Sequence, residues 1–404
     1  MASTTPQASG TPKIETSKPP AVEPQLQPPA NSPDLVLVPA TPTEGVQADL
    51  LNNEEWKGPL TLEQYLRREA ILQSVDLTKD GRITGWILTS TSLPANEDGT
   101  RPIFASCETY PKHGYVAKDG KVDKVQAHGI GSVFTRPEYR GKGYAGRMMA
   151  DLGKRLETWQ QVDGQINPFS VLYSDIGRNF YAKHGWKAYP STHIHFAPLP
   201  PAEYEAARGS LPAVEDLSAA ELKQIPTIDY LEQRLQQLSG SRTGTVHVAV
   251  RPDSEHFQWH FAREEYYHEV LGKAEPKIKG AIHRDTGLGL VWLRKYAADP
   301  KEWRLYILHT VLPPSVENSP DTQAVMAALL ARAQREAHEW DLPVGVEVWN
   351  PSDLVIAAAK KLKREEHEEV KIVTRDMDHI CSLRWAAGGN EEVVWVANEQ
   401  YAWC

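Results

Sequence analysis

Apolar positions along this chain fall into runs with two different periods. Thr61 and Gln64 have the spacing of a capping box, and Leu62, Tyr65, Leu66 and the stretch from Glu69 to Leu72 continue it at helical spacing. After the Asp80–Gly81 turn signal, GRITGWILTST (81–91) reads as a strand, and IFASCETY (103–110) as its antiparallel partner. AKDGKV (117–122) carries a second Asp–Gly turn, and AHGIGSVFT (127–135) is a further strand, glycine-rich in its first half. From Ala145 the period changes: Ala145, Met148, Met149, Leu152, Leu156 and Trp159 share one helix face. FSVLYSD (169–175) reads as a buried strand, 177–184 as a short helix stopped by Gly185, and WKAYPSTHIHFAP (186–198) as a last strand region. This order predicts an α+β, layered domain with a mixed central sheet over residues 51–200.

Residues 201–216, within PLPPAEYEAARGSLPAVED, read as a linker, and 217–404 as a second α/β domain. That second region partly echoes the first. Met326, Leu329, Leu330, Ala333, Ala337 and Trp340 repeat the apolar spacing of 145–159, between strand-like RLYILHTV (304–311) and VGVEVWN (344–350), and SDLVIAAAKKL (352–362) reads as a further helix. A degenerate second copy of one unit would give this pattern, and so would chance between two amphipathic helices. In the place of glycines it has PPSVENSP (313–320). Residues 1–50 are rich in Pro, Ser, Thr and Ala, and such a segment is expected to stay disordered, with LVLVP (35–39) the one island able to dock as a short strand.

Composition narrows the partners. The 404 residues carry a formal charge of −9, which argues against nucleic acid and is compatible with a cationic substrate. Three scattered cysteines, Cys107, Cys381 and Cys404, form no CxxC pair, so neither a disulfide framework nor a zinc site is expected. No apolar run reaches the roughly 20 residues of a membrane span, and the first residues lack an apolar signal core. A cytoplasmic protein without membrane or metal is expected.

The candidate chemistry sits in YRGKGYAG (139–146), directly before the helix at 145–159. A helix N-terminus has unpaired N–H groups and a partial positive charge, glycines let a ligand approach the backbone, and Arg140 and Lys142 add full charges. Together these suit a phosphate or pyrophosphate. A Walker loop would need GxxxxGK[ST], which is absent. Gly141, Gly143 and Gly146 fit a dinucleotide GxGxxG, but antiparallel strands flank them. The third reading is Arg140-x-x-Gly143-x-Ala145.

That last pattern, the stretch SVFTRPEYRGKGYAGRMMADL (132–152) and NFYAKHGWK (179–187) resemble the acetyl-coenzyme A loop and the later motif of the GCN5-related N-acetyltransferases. LYSDIGRNFYAKHGW (172–186) and the aromatic end EEVVWVANEQYAWC (391–404) look like the fungal lysine N6-acetyltransferases of lysine catabolism. The resemblance runs from about residue 55 to the C-terminus. It implies acetyl-coenzyme A as co-substrate, held by Ser132, Val133, Phe134 and Thr135 along the acyl arm and by Arg140, Gly141, Lys142, Gly143, Tyr144 and Ala145 at the pyrophosphate. It implies Tyr181 as general acid toward the departing thiolate, and an amine, L-lysine by the narrower resemblance, as acceptor.

A lysine ε-amine of pKa about 10.4 must lose a proton before it attacks. Asp175, Glu108 and His128 are candidate bases, as is a water chain; a core histidine is the favoured reading of His128, which would need a bulge to point inward. An arginine for the substrate carboxylate is expected, with Arg251, Arg284, Arg294 and Arg384 undivided by spacing. Trp385, Trp395, Tyr401 and Trp403 suit either a pocket wall or core. Acetylation of another small amine or of a protein lysine, and a non-catalytic acetyl-coenzyme A sensor, are the competing functions.

Overall fold

The computed structural model describes residues 18–403 apart from 243, 318 and 363–369. Residues 1–17 of the expected disordered tail, and Cys404, lie outside the described residues. The rest of that tail is ordered. It holds strand β1 (Leu35–Pro39) and most of helix α1 (Pro42–Trp56). The helix starts because Thr41 and Glu44 form a reciprocal capping box with Pro42 at the first helical position, a signal that the proline-rich composition masked. Next come α2 (Leu62–Leu72), with the expected Thr61–Gln64 box, β2 (Thr84–Ser90), β3 (Ala105–Lys118) and β4 (Lys121–Thr135). Asp119 and Gly120, both at positive φ, make the two-residue hairpin joining β3 to β4. Helix α3 (Tyr144–Leu156), β5 (Phe169–Ser174), α4 (Asn179–Ala182), β6 (Lys187–Ala188) and β7 (Thr192–Phe196) complete the first half.

The second half opens with α5 (Pro201–Arg208), where a linker was expected: Pro201 starts this helix, and it packs on a later one. It continues through β8 (Glu215–Ser218), α6 (Ala219–Leu222), α7 (Thr227–Ser241), β9 (Thr245–Val250), α8 (Ser254–Leu271), β10 (Ile278–His283), β11 (Leu288–Lys295) and β12 (Arg304–Val311). Helix α9 (Thr322–Glu339), β13 (Val346–Trp349), α10 (Asp353–Lys361), β14 (Ile372–Thr374), β15 (Ile380–Trp385) and β16 (Glu392–Trp395) close the chain.

Among the described residues the strands form two mixed sheets. The first runs β1-β2-β3-β4-β5-β15-β6, with β9 and β16 added beside the far end of β3; the second runs β14-β7-β13-β12-β11-β10-β8. Each contains a strand, a crossover helix and a parallel strand: β4–α3–β5 in one, β12–α9–β13 in the other. Each also carries a bulge in the strand before the helix. The echo in the sequence is therefore a repeated unit. The copies trade strands. β15, from the C-terminal half, pairs with β5, while β7, from the N-terminal half, pairs with β13. The strand region at 186–198 thus divides between the sheets, and the boundaries expected at 200 and 217 do not separate them. Periodicity shows that a segment is a strand; it does not say which edge will receive it.

The first core lies under α3, where Met148, Met149 and Leu152 meet Trp86, Phe104 and Trp186. A second core lies under α9. Beneath α9, Arg294 is held between Glu264 and Glu336 with almost no exposure, a buried ion network in the degenerate copy.

Candidate active site

The strand β4 is built to part from its neighbour. It pairs with β5 only at His128, Gly129 and Ile130. From Gly131 to Thr135 its edge toward β5 is unpaired, so backbone N–H groups there are available to a ligand. On the other edge, Ser132 and Val133 together oppose Cys107 of β3, and Ser132 takes φ +51°. Such a left-handed non-glycine residue is a strained position that the surrounding sheet must hold in place. The bulge turns the Ser132 hydroxyl onto Glu108, to which it donates at 2.8 Å.

The expected phosphate loop follows directly. Gly141 and Gly143 both have left-handed φ, +79° and +89°, and Gly143 is the N-cap of α3 with no side-chain cap. The first-turn N–H groups of α3 are therefore uncapped by a side chain, as an anion site requires. Arg140 is half exposed and pairs with Glu55, and Lys142 reaches Gln27 at 2.6 Å. Tyr144 is not a loop contact alone: its ring is buried against Phe104, and its hydroxyl donates to the Pro28 carbonyl at 2.6 Å. These residues fit the diphosphate of acetyl-coenzyme A. The segment 19–35 forms a strap across this loop. Arg147 of α3 donates to the carbonyls of Ala30, Ser32 and Leu35, and Arg136 to those of Pro19 and Pro20. A Cβ on Gly143 would stand 3.0 Å from that of Ala30, so the strap adds to the reasons for glycine here.

A cavity of about 390 Å³ opens beside the bulge, between α1, α2 and strands β2–β4. Asp49, Asn52, Cys107, Glu108 and Ser132 line it, and among the described residues no lysine, arginine or histidine does. Burial pushes the Glu108 carboxyl up to about 7, helped by the charge of Glu69, against the pull of Ser132 and Tyr110. Asp49 is driven well above the usual carboxylate range by burial and then by Glu108 and Glu69. Two buried carboxylates facing each other resist double ionisation.

The other expected residues fall as follows. Tyr181, on α4, is 7% exposed, and burial, then Asp175 and Cys107, keep its phenol protonated far above neutrality. His128 is a core residue. It lies where β4 is still paired on both sides, the bulge comes four residues later, and burial lowers its pKa to about 4. Gly129 beside it is small because the buried Lys112 side chain crosses it, where a Cβ would sit 2.2 Å from Cε. Asp175 does not line the cavity; it accepts from the His379 N–H at 2.9 Å, and His379 and its backbone hold its pKa down despite burial. All four arginines are already engaged: Arg251 with Asp253, Arg284 with Glu215 and Glu221, Arg294 with Glu264 and Glu336, and Arg384 with Glu157. Trp395 and Tyr401 are core, Trp385 is half buried, and Trp403 faces a second, smaller cavity. Glu108 was one candidate among several. Asp49 was missed because its helix, α1, falls largely within the tail expected to be disordered.

A splayed parallel pair, a bulge and a glycine-started helix define an acyl-coenzyme A-dependent acyltransferase site. The chain belongs to the GNAT acetyltransferases: residues 193–404 match the model of the LYC1 GNAT-like C-terminal domain, and residues 97–188 that of the acetyltransferase (GNAT) domain. It is an acetyl-coenzyme A-dependent N-acetyltransferase acting on an amine. Among its relatives is a lysine acetyltransferase of Yarrowia lipolytica, 27% identical over 60% of this chain and 68% of that protein. An uncharacterized protein of Saccharomyces cerevisiae is 31% identical over 36% of this chain and 41% of its own length. A crystal structure of a GCN5-related N-acetyltransferase from Kribbella flavida aligns with TM-score 0.49 and 19% identity, over 87% of this chain and 71% of that one. No helix among the described residues is long and apolar enough to cross a membrane.

Proposed function

We propose that this protein transfers acetyl from acetyl-coenzyme A to the N6-amine of free L-lysine. The observation that carries this reading is the acidic cavity at the β4 bulge, with the lysine-acetyltransferase relative in support. The co-substrate supplies a thioester whose acyl carbon an amine can attack. Glu108, half buried with its carboxyl near neutrality, is the base that takes the ammonium proton. Asp49 holds the cation beside it. The unpaired N–H groups of β4 beyond Ile130 face the position where the carbonyl oxygen gains charge. Tyr181, kept protonated by burial, donates to the departing sulfur.

One observation favours a second acceptor. The cavity carries two carboxylates and no cation, which also suits a polyamine. Thiol release by the full chain, with L-lysine and then with polyamines, separates the two. Release with lysine giving N6-acetyllysine by mass supports the proposal. Release with polyamines alone discards lysine and keeps the amine acetyltransferase.

A further inference from the structure

Free lysine differs from a simple diamine by its α-carboxylate, and among the described residues lining the cavity at Glu108 there is no cation to pair with that group. The four arginines suggested by the sequence are each paired with a carboxylate. Among the described residues neither Arg263 of α8 nor Lys295 at the end of β11 forms an ion pair with a carboxylate. Arg263 lies 5.1 Å from the Trp403 ring centre and Lys295 5.4 Å from that of Tyr306. Both are partly exposed, and both line the second cavity together with His379, Gln400 and Trp403. Its free volume of about 30 Å³ would hold two water molecules, the room that the two oxygens of a carboxylate take.

This cavity is tied to the reacting groups through Asp175. His379 holds Asp175 at the end of β5, and the charge of Asp175 acts on Tyr181 from one side and on Lys295 from the other. Arg263 feels Glu69, which also acts on Glu108. Burial and the neighbouring Arg263 and Arg304 charges lower the Lys295 pKa to about 8, as expected of two cations awaiting an anion.

We infer that Arg263 and Lys295 form the site that binds the substrate α-carboxylate, so that the degenerate second copy serves as the specificity element for an amino acid over a diamine. This rests on the reading of L-lysine as acceptor. The test compares L-lysine with 1,5-diaminopentane, which is lysine without its carboxylate, on the full chain and on Arg263→Met and Lys295→Met. Each variant should raise KM for lysine about ten- to hundredfold, the range expected for a lost charge-assisted hydrogen bond, and leave turnover of the diamine within about twofold. Arg263→Lys and Lys295→Arg should recover most of the lysine affinity. A wild-type enzyme that does not distinguish the two amines removes the lysine reading itself. A wild type that prefers lysine, with variants that keep the preference, overturns the assignment of these two residues alone. Equal losses on both amines, or no recovery in the conservative pair, also overturn it, because the residues would then be acting on the fold.

Discussion

At the scale of single residues, the site depends on carboxyls that the protein keeps from ionising early. Glu108 titrates near 7, against an ordinary value of 4.5, because it is buried beside Glu69. Its base form is present only above that pH, so kcat/KM should rise with pH through about 7. Glu108→Gln should lose that acidic limb and about 10²-fold or more in rate, the scale of a general base. The same shift has a stability sign. The folded state holds the Glu108 proton between pH 4.5 and about 7 while the unfolded state has released it, so this group's contribution to stability falls as pH rises through that window. Glu108→Gln should therefore melt no lower than wild type at pH 8, and a lower Tm would show that the ionised carboxylate is stabilising and its pKa not raised. Tyr181→Phe should lower kcat about 10²-fold while coenzyme A binding, followed by calorimetry, is retained. An unchanged rate excludes Tyr181 from proton transfer and leaves it as packing.

Among elements, the helix α3 is the pivot. Its apolar face was visible as a 3.6 period, and its glycine start as an anion site. The strap over that start was not visible, because residues 19–35 have no periodicity and owe their order to partners far along the chain. Arg147 alone ties three strap carbonyls. Arg147→Ala should open residues 19–35 to limited proteolysis while the circular dichroism of the body is unchanged. If cleavage there stays as slow as in wild type, Arg147 is not what holds the strap. The bulge at Ser132 was equally hidden. A register shift is a property of two paired strands, and the sequence of β4 alone shows only a glycine-rich run.

For the whole molecule, the exchange of β7 and β15 couples the two sheets. Neither copy can lose its exchanged strand without opening the other, so thermal unfolding should be one calorimetric transition, not two. Two resolved transitions would show that each sheet survives without its borrowed strand. Phe257 and Phe261 of α8 and Tyr401 near the C-terminus share one core with Phe169 and Val171 of β5, so the two halves pack as one body there.

Sequence alone determined the elements whose information is local: the α3 period, the capping box at Thr61, the Asp–Gly hairpin, the glycine loop and the repeated helix spacing. It also carried the phosphate site, since a glycine loop at a helix start lies within eight consecutive residues, and the resemblance that implies acetyl transfer. Tertiary structure decided what depends on distant partners. It determined which sheet each strand joins, that His128 is core, that the four arginines are already neutralised, and that Glu108 and Asp49 meet in one cavity. Burial and charge pairing arise only once segments dozens to hundreds of residues apart are packed together, and no spacing along the chain encodes them one residue at a time.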